Sequence, residues 1–212
     1  MKKNSQSSET LRKIIFAGLM AALCYIGYAI FPPISVTGTK IHLGNAFVVL
    51  GALLLGGLYG GLSGAIGLSL ADILSGYAVS APRTFICKLV IGLVCGLIAH
   101  HLFHISENRE KTYIVRAAIV ASVGSLLVNC IFEPSLKWVW YMFLFPDPEK
   151  AESAIKTLLA ITTYSTLINA AINSVIAIIL YLALRPVLKK SGLFFCLSKK
   201  NRPTENETSE TH

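Results

Sequence analysis

Charge is scarce in this chain. Only 14% of its 212 residues are Asp, Glu, Lys or Arg, against about 25% in a soluble domain. Hydrophobic residues make up 54% and the mean hydropathy is +0.63. A soluble core of this size cannot hide so many apolar side chains, so an ordinary globular fold is excluded. Paired cysteines are missing too. The five cysteines (24, 87, 95, 130 and 196) are scattered, with no C-x-x-C, which excludes a disulfide framework and reads as small apolar side chains. There is no G-x-x-x-x-G-K-[ST], so the chain does not itself cradle nucleotide phosphates. A cleavable leader is not expected either. The apolar run 14–34 is too long for a signal core, and Leu23 before Cys24 is too bulky for lipoprotein processing.

What is present is a series of long apolar runs. Six are expected to span a membrane, at about 11–30, 43–58, 61–76, 81–103, 113–132 and 155–188. The fold class is therefore an all-α membrane protein with six transmembrane helices. Residues 1–10 are polar and expected to be disordered, 11–190 form the membrane domain, and 191–212 form a polar tail. Breakers mark the connections. Two prolines and a glycine interrupt FPPISVTGTKIHLGN, Gly56-Gly57 and Gly60-Gly61 mark a very short turn, and Glu133-Pro134 is expected to end the fifth span.

The net charge of +8 suggests a nucleic-acid partner only in a soluble protein. Here the basic residues gather at span ends. With the N-terminus inside, 13 Lys and Arg fall on the inner side and 6 in outer segments or outer halves. The positive-inside rule then places both termini in the cytoplasm. The connections 34–42, 77–82 and 134–152 face outward.

Against this apolar background the polar residues stand out. Asp72 and Lys88 flank a turn built from Gly76-Tyr77 and Pro82. Each charge costs roughly 2.5–3.5 kcal/mol at mid-bilayer on an insertion scale, so it must pair, face a wet cavity or bind something polar. At about 1.5 Å per residue, Asp72 lies about 6 Å below Gly76 and Lys88 about 9 Å below Pro82. Asn129 and Glu133 are spaced i, i+4, extended inward by Ser125 and Ser122. Thr162, Thr166, Asn169 and Asn173 form one stripe on the sixth span, with Tyr164 near its outer end, while His42 and Asn45 flank the start of the second. These groups share one level near the outer face, and the inner halves of spans two to four are almost wholly apolar. The pattern suits an outward-opening pocket for a small polar ligand. Interhelical hydrogen bonds with an Asp72–Lys88 ion pair would produce the same pattern. The run Trp138, Trp140, Tyr141, Phe143, Phe145 reads as an interfacial anchor or a lid.

Small residues recur as Gly56, Gly60, Gly64 and Gly57, Gly61, Ala65, and in the first span as Ala17, Gly18, Ala21 and Ala22. This spacing lets helix backbones approach closely. Gly61-Leu-Ser-Gly64 mimics an intramembrane serine-protease motif, but the needed histidine base is not at matching depth: His100 and His101 lie at the cytoplasmic end of the fourth span and no span after it contains histidine. His100, His101 and His104 read as an interfacial cluster rather than metal ligands. No enzyme activity and no cofactor are expected.

At Ile41-His-Leu-Gly-Asn-Ala-Phe47, Ala71-Asp-Ile-Leu-Ser-Gly-Tyr77 and Ala81-Pro-Arg-Thr-Phe-Ile-Cys-Lys88, the chain resembles the substrate-binding S components of energy-coupling factor (ECF) vitamin transporters. It is similar to the riboflavin-type branch, which also takes in hydroxymethylpyrimidine and pyridoxine carriers. The resemblance implies six helices, a vitamin pocket near the outer face, and location in a prokaryotic cell membrane. It also implies a transmembrane scaffold subunit and two ATPases as partners, with Ala17 and Ala21, beside Gly18 and Ala22, docking on the scaffold. The ligand contacts it suggests are His42, Asn45, Asp72, Tyr77, Thr84, Lys88, Asn129, Glu133, Tyr164 and Asn169. Asn45, Ser80 and Arg83 depart from the pattern expected of many relatives, and the dense polar ring suits a small hydroxymethylated heteroaromatic better than riboflavin. An autonomous small transporter or channel is the alternative, and it requires a polar route through the inner half.

The orientation is open to a direct test. A cysteine placed at Ser35 should react with a membrane-impermeant maleimide added to intact cells, and one at Lys111 should not. The opposite labelling pattern inverts the topology.

Overall fold

In the computed structural model, residues 2–30, 34–36, 39–107, 109–144 and 148–191 are described. Six helices account for nearly all of them: α1 (Lys2–Ala29), α2 (Gly44–Leu55), α3 (Gly57–Leu74), α4 (Ala81–Gly96), α5 (Lys111–Leu144) and α6 (Pro148–Lys190). Between α1 and α2, β1 (Ile34–Val36) and β2 (Thr39–Ile41) pair antiparallel, with Ile34 opposite Ile41. A 3₁₀ turn (Ala78–Ser80) leads into α4, and a π-helical turn (Leu97–Leu102) continues it. Among the described residues, five helices are long and apolar enough to cross a membrane. The sixth, α2, is apolar but has only 12 residues, or about 18 Å of rise.

The spans expected from the sequence are therefore present, with altered bounds. α1 takes in the polar segment before residue 11. The turn after α2 uses Gly56 alone, at φ +90°, a conformation open to glycine and strained for other residues, while Gly60 and Gly61 lie inside α3. The largest correction concerns α5. Pro134 does not stop it, and the helix runs on to Leu144 with the proline inside. Proline removes one N–H and typically costs about 3 kcal/mol in a helix interior. Unwinding the flanking apolar turns within lipid would strand several backbone groups without partners, at several kcal/mol each. Helix continuation is the smaller loss. Part of the aromatic run thus lies on helix, with Trp138 and Phe143 exposed, and Phe145 lies outside the described residues, as does the tail from 192 onward.

The bundle is assembled around α2 and α3. α2 is buried at every position except Phe47 and touches α1, α3, α4 and α6, while α3 packs on α1, α2 and α4. The glycines explain the closeness. A Cβ on Gly60 would collide with the backbone of Ala52 and Gly51 in α2, one on Gly92 with the backbone of Gly61, and one on Gly96 with the backbone of Gly57. A Cβ on Gly67 would meet the Ala21 carbonyl oxygen of α1. The small-residue ladder in α3 is an internal seam on three sides. Leu50, Leu53, Cys95, Ala99, Ala117, Ala121 and Ala177 fill the core around it. Ile14, Ile66, Leu97, Ile131, Val175 and Ile179 are exposed on the outside, forming an apolar belt suited to lipid.

Replacing Gly60 by Val should sharply reduce folded, monodisperse protein. Thermal unfolding in detergent should register a loss of about 1–3 kcal/mol or more, the usual scale of overpacking. Gly18→Val, at a position where a Cβ meets nothing within 4 Å, should leave the melting temperature within error. Equal melting of the two variants would contradict the seam.

Candidate functional site

The buried charged residues Asp72, Lys88 and Lys137 meet Asn45 and Asn169 at one end of the bundle, opposite the start of α1 and the end of α6. There they enclose a cavity of about 120 Å³. α1 contributes Tyr28, α2 Asn45, α3 Leu68 and Asp72, α4 Arg83, Thr84 and Lys88, α5 Glu133 and Lys137, and α6 Thr166 and Asn169. His42, Tyr77 and Ser80 close it from the connections.

Helix periodicity explains the convergence. Thr84 and Lys88 are one turn apart on α4, Glu133 and Lys137 one turn apart on α5, and Thr166, Asn169 and Asn173 follow a single face of α6. Asp72 lies within 8% of full burial and Lys88 within 4%. They do not form the ion pair that the sequence left open. Asp72 accepts hydrogen bonds from the Thr84 hydroxyl (2.5 Å) and the Tyr28 hydroxyl (3.2 Å). Lys88 lies 3.6 Å from Glu133, whose Oε2 also accepts 2.9 Å from Asn129 Nδ2. The register of α4 accounts for the exchange. Its first turn presents Thr84 to Asp72, and Lys88, a turn deeper, faces α5.

α6 holds the rim in place. Asn173 Oδ1 accepts from the Ala46 N–H (2.9 Å) at the start of α2, and Asn173 Nδ2 donates to the His42 carbonyl (3.1 Å). Asn169 Oδ1 accepts from the His42 N–H (3.1 Å). The segment between β2 and α2 is therefore pegged to α6 by two amides. His42 Nδ1 accepts from the Gly44 N–H (3.1 Å), which places the proton of the neutral ring on Nε2, and the ring packs 5.3 Å from that of Tyr28. At the other end of the bundle, His100 is half-buried and straps α2 to the turn after α4, through the Ala52 carbonyl (3.0 Å) and Ser106 Oγ (2.9 Å). Arg185 donates to the Ile105 carbonyl (3.2 Å).

Eight of the ten ligand contacts suggested by the sequence line the cavity: His42, Asn45, Asp72, Tyr77, Thr84, Lys88, Glu133 and Asn169. Asn129 is buried behind Glu133 and reaches the cavity through it. Tyr164 is 64% exposed and lies outside the lining, because its position on α6 is off the Thr166–Asn169 face. Trp138 is likewise exposed and outside the lining. Three lining residues carry no expectation from the sequence: Leu68, one apolar residue among many, Lys137 and Tyr28. Lys137 was placed in an outer loop because Pro134 read as a helix end, and carrying the Asn129, Glu133 spacing one turn further would have found it. Tyr28 gave no signal beyond a hydroxyl on an apolar span. In α1, Ala17 and Ala21 are half-buried, whereas Gly18 and Ala22 are exposed.

The bundle thus has an apolar core and, at one end, a cavity lined by side chains from all six helices. A model of the family described as ECF-type riboflavin transporter, S component, matches residues 8–186, and the chain belongs to that family. It is accordingly a component of a membrane transporter. No curated protein and no solved structure matches.

The Asn173 amide should be structural rather than ligand-selective. Asn173→Ala removes the hydrogen bonds its amide makes to the Ala46 N–H and the His42 carbonyl and should lower stability by about 0.5–1.5 kcal/mol for each, read as a thermal shift. An unchanged melting temperature would remove it from the frame of the cavity.

Proposed function

We propose that the chain captures a small water-soluble vitamin or vitamin precursor, of hydroxymethylpyrimidine or pyridoxine type before riboflavin. It would do so at the extracellular end of a prokaryotic cell-membrane bundle whose termini are cytoplasmic. A scaffold subunit and two ATPases would drive uptake, with Ala17, Gly18, Ala21 and Ala22 as the docking patch. The exposed pair Gly18 and Ala22 would form its outer face.

One observation carries the reading: polar side chains from all six helices, five of them charged, are gathered into a single cavity above an apolar core. A volume of about 120 Å³ falls below the roughly 300–1,000 Å³ typical of drug-sized ligands, which favours a single ring over a tricyclic one. Asp72, Lys88, Glu133 and Asn169 would hydrogen-bond the ring substituents, with Asn129 orienting Glu133. Tyr77 would cover the ring, and His42 and Asn45 would gate the mouth. The Asn45 Oδ1 atom is buried with no hydrogen-bond partner, so an acceptor is available to cargo. The apolar packing of the other half argues against an autonomous transporter, which needs a polar path across the whole bilayer.

Calorimetric titration of the purified chain with hydroxymethylpyrimidine, pyridoxine and riboflavin tests this. A saturable response to a single-ring compound is expected. Asp72→Asn should weaken that binding about ten-fold or more, since a charge-assisted hydrogen bond contributes about 1.5–3 kcal/mol. Unchanged affinity in the variant would take Asp72 out of the site.

A further inference from the structure

The cavity carries more positive charge than it neutralises. Arg83, Lys88 and Lys137 line it against Asp72 and Glu133, a formal excess of one cation with His42 neutral. The internal contacts consume the charges unevenly. Glu133 is engaged by Lys88 and Asn129, and Asp72 by Tyr28 and Thr84. Among the described residues no carboxylate lies within ion-pair distance of Arg83 or Lys137.

Lys137 is the more telling of the two. Only 6% of it is exposed, and its Nζ donates to Thr162 Oγ1 at 2.7 Å. That hydroxyl in turn donates to the Leu158 carbonyl at 2.7 Å. A buried ammonium has three N–H donors and a charge, and one neutral hydroxyl answers neither the remaining donors nor the charge. Arg83 adds a planar fork suited to two parallel hydrogen bonds to a carboxylate or phosphate. The two cations also sit at the same level. α4 runs inward from the mouth and α5 outward toward it. Arg83 is therefore nearer the mouth than Lys88, and Lys137 is a turn nearer than Glu133. The Lys88–Glu133 ion pair lies below, and Arg83 and Lys137, neither in direct contact with a carboxylate, lie above it.

We propose that the cargo bears an anionic substituent, a carboxylate or a phosphate, held between Arg83 and Lys137 at the mouth of the cavity. This rests on the reading of the cavity as the cargo site and adds the charge of the cargo to it. The ring enters the deeper layer and the anion closes the upper one, where a carboxylate would offset the formal excess of one positive charge. A lipid phosphate could offer the same chemistry, but Lys137 lies inside the wall rather than on the lipid-facing surface.

The test uses the purified full chain in phosphatidylcholine nanodiscs, titrated with matched pairs. These are pyridoxine and pyridoxine 5′-phosphate, nicotinamide and nicotinate, and hydroxymethylpyrimidine and its phosphate. In at least one pair the anionic member should bind about ten-fold tighter or more. Arg83→Gln and Lys137→Gln should reduce the ratio of anionic to neutral affinity to near one, and Lys137→Arg should preserve it. The proposal is overturned if neutral members bind as tightly as anionic ones, or if the glutamine variants weaken both members equally. It is also overturned if phosphatidylglycerol in the nanodisc competes with the anion through these two residues, which would give the charges to lipid. Binding of a neutral ring without anion preference sinks this inference and leaves the proposed function standing. Failure of every compound to bind sinks both.

Discussion

Backbone-to-backbone contact along α3 is the constraint on which the cavity depends. Gly57 and Gly61 meet Gly96 and Gly92 of α4, and Gly60 meets Gly51 and Ala52 of α2. Lipid offers little hydrophobic drive for helices to associate, so van der Waals contact and interhelical hydrogen bonds must hold them. Close approach at the glycine level carries the helices upward at a separation small enough for Thr84 of α4 to reach Asp72 of α3, and for Ser69 Oγ to reach the Ala81 carbonyl at 3.1 Å. The polar site is the upper continuation of an apolar seam. The two are one piece of geometry.

The second requirement is that the polar groups not collapse onto each other in an undefined way. Buried polar networks specify a structure when every member is satisfied and become a liability when some are not. Here the framework atoms are largely paired. Asn169 and Asn173 hold the backbone at His42 and Ala46, and Thr166 donates to the Thr162 carbonyl within α6. Of the buried atoms with capacity to spare, Asn45 Oδ1 lies at the cavity, whereas Ser122 Oγ and Ser165 Oγ lie outside its lining. Rigidity is supplied by backbone-directed amides, and reactivity toward a solute is left to side chains one turn away.

Much of this was legible in the chain, for identifiable reasons. Apolar runs of membrane length and glycines at helical spacing are direct consequences of the solvent, so the six helices and the internal seam could be read. The polar stripe on α6 and the acid and base flanking the α3–α4 turn stood out because lipid tolerates so few such residues. What could not be read depends on tertiary register. Whether Lys88 meets Asp72 or Glu133 is decided by the rotation of α4 against α5, which no local pattern encodes. Pro134 reads as a stop in water and is carried through in a bilayer, and that misreading concealed Lys137. Tyr164 and Asn169 lie on one helix within a turn and a half, yet only Asn169 lines the cavity, because the two point about 140° apart around the helix axis.

The glycine seam has a consequence for how such a protein can change over time. Architecture and chemistry are written in different residues. The seam positions admit no side chain at all, whereas Arg83, Thr84, Lys88, Glu133 and Lys137 line the cavity from helices already held in place. A lineage can therefore exchange one cargo for another by altering a handful of wall residues without renegotiating the packing beneath them, and the seam remains the more durable signature of descent.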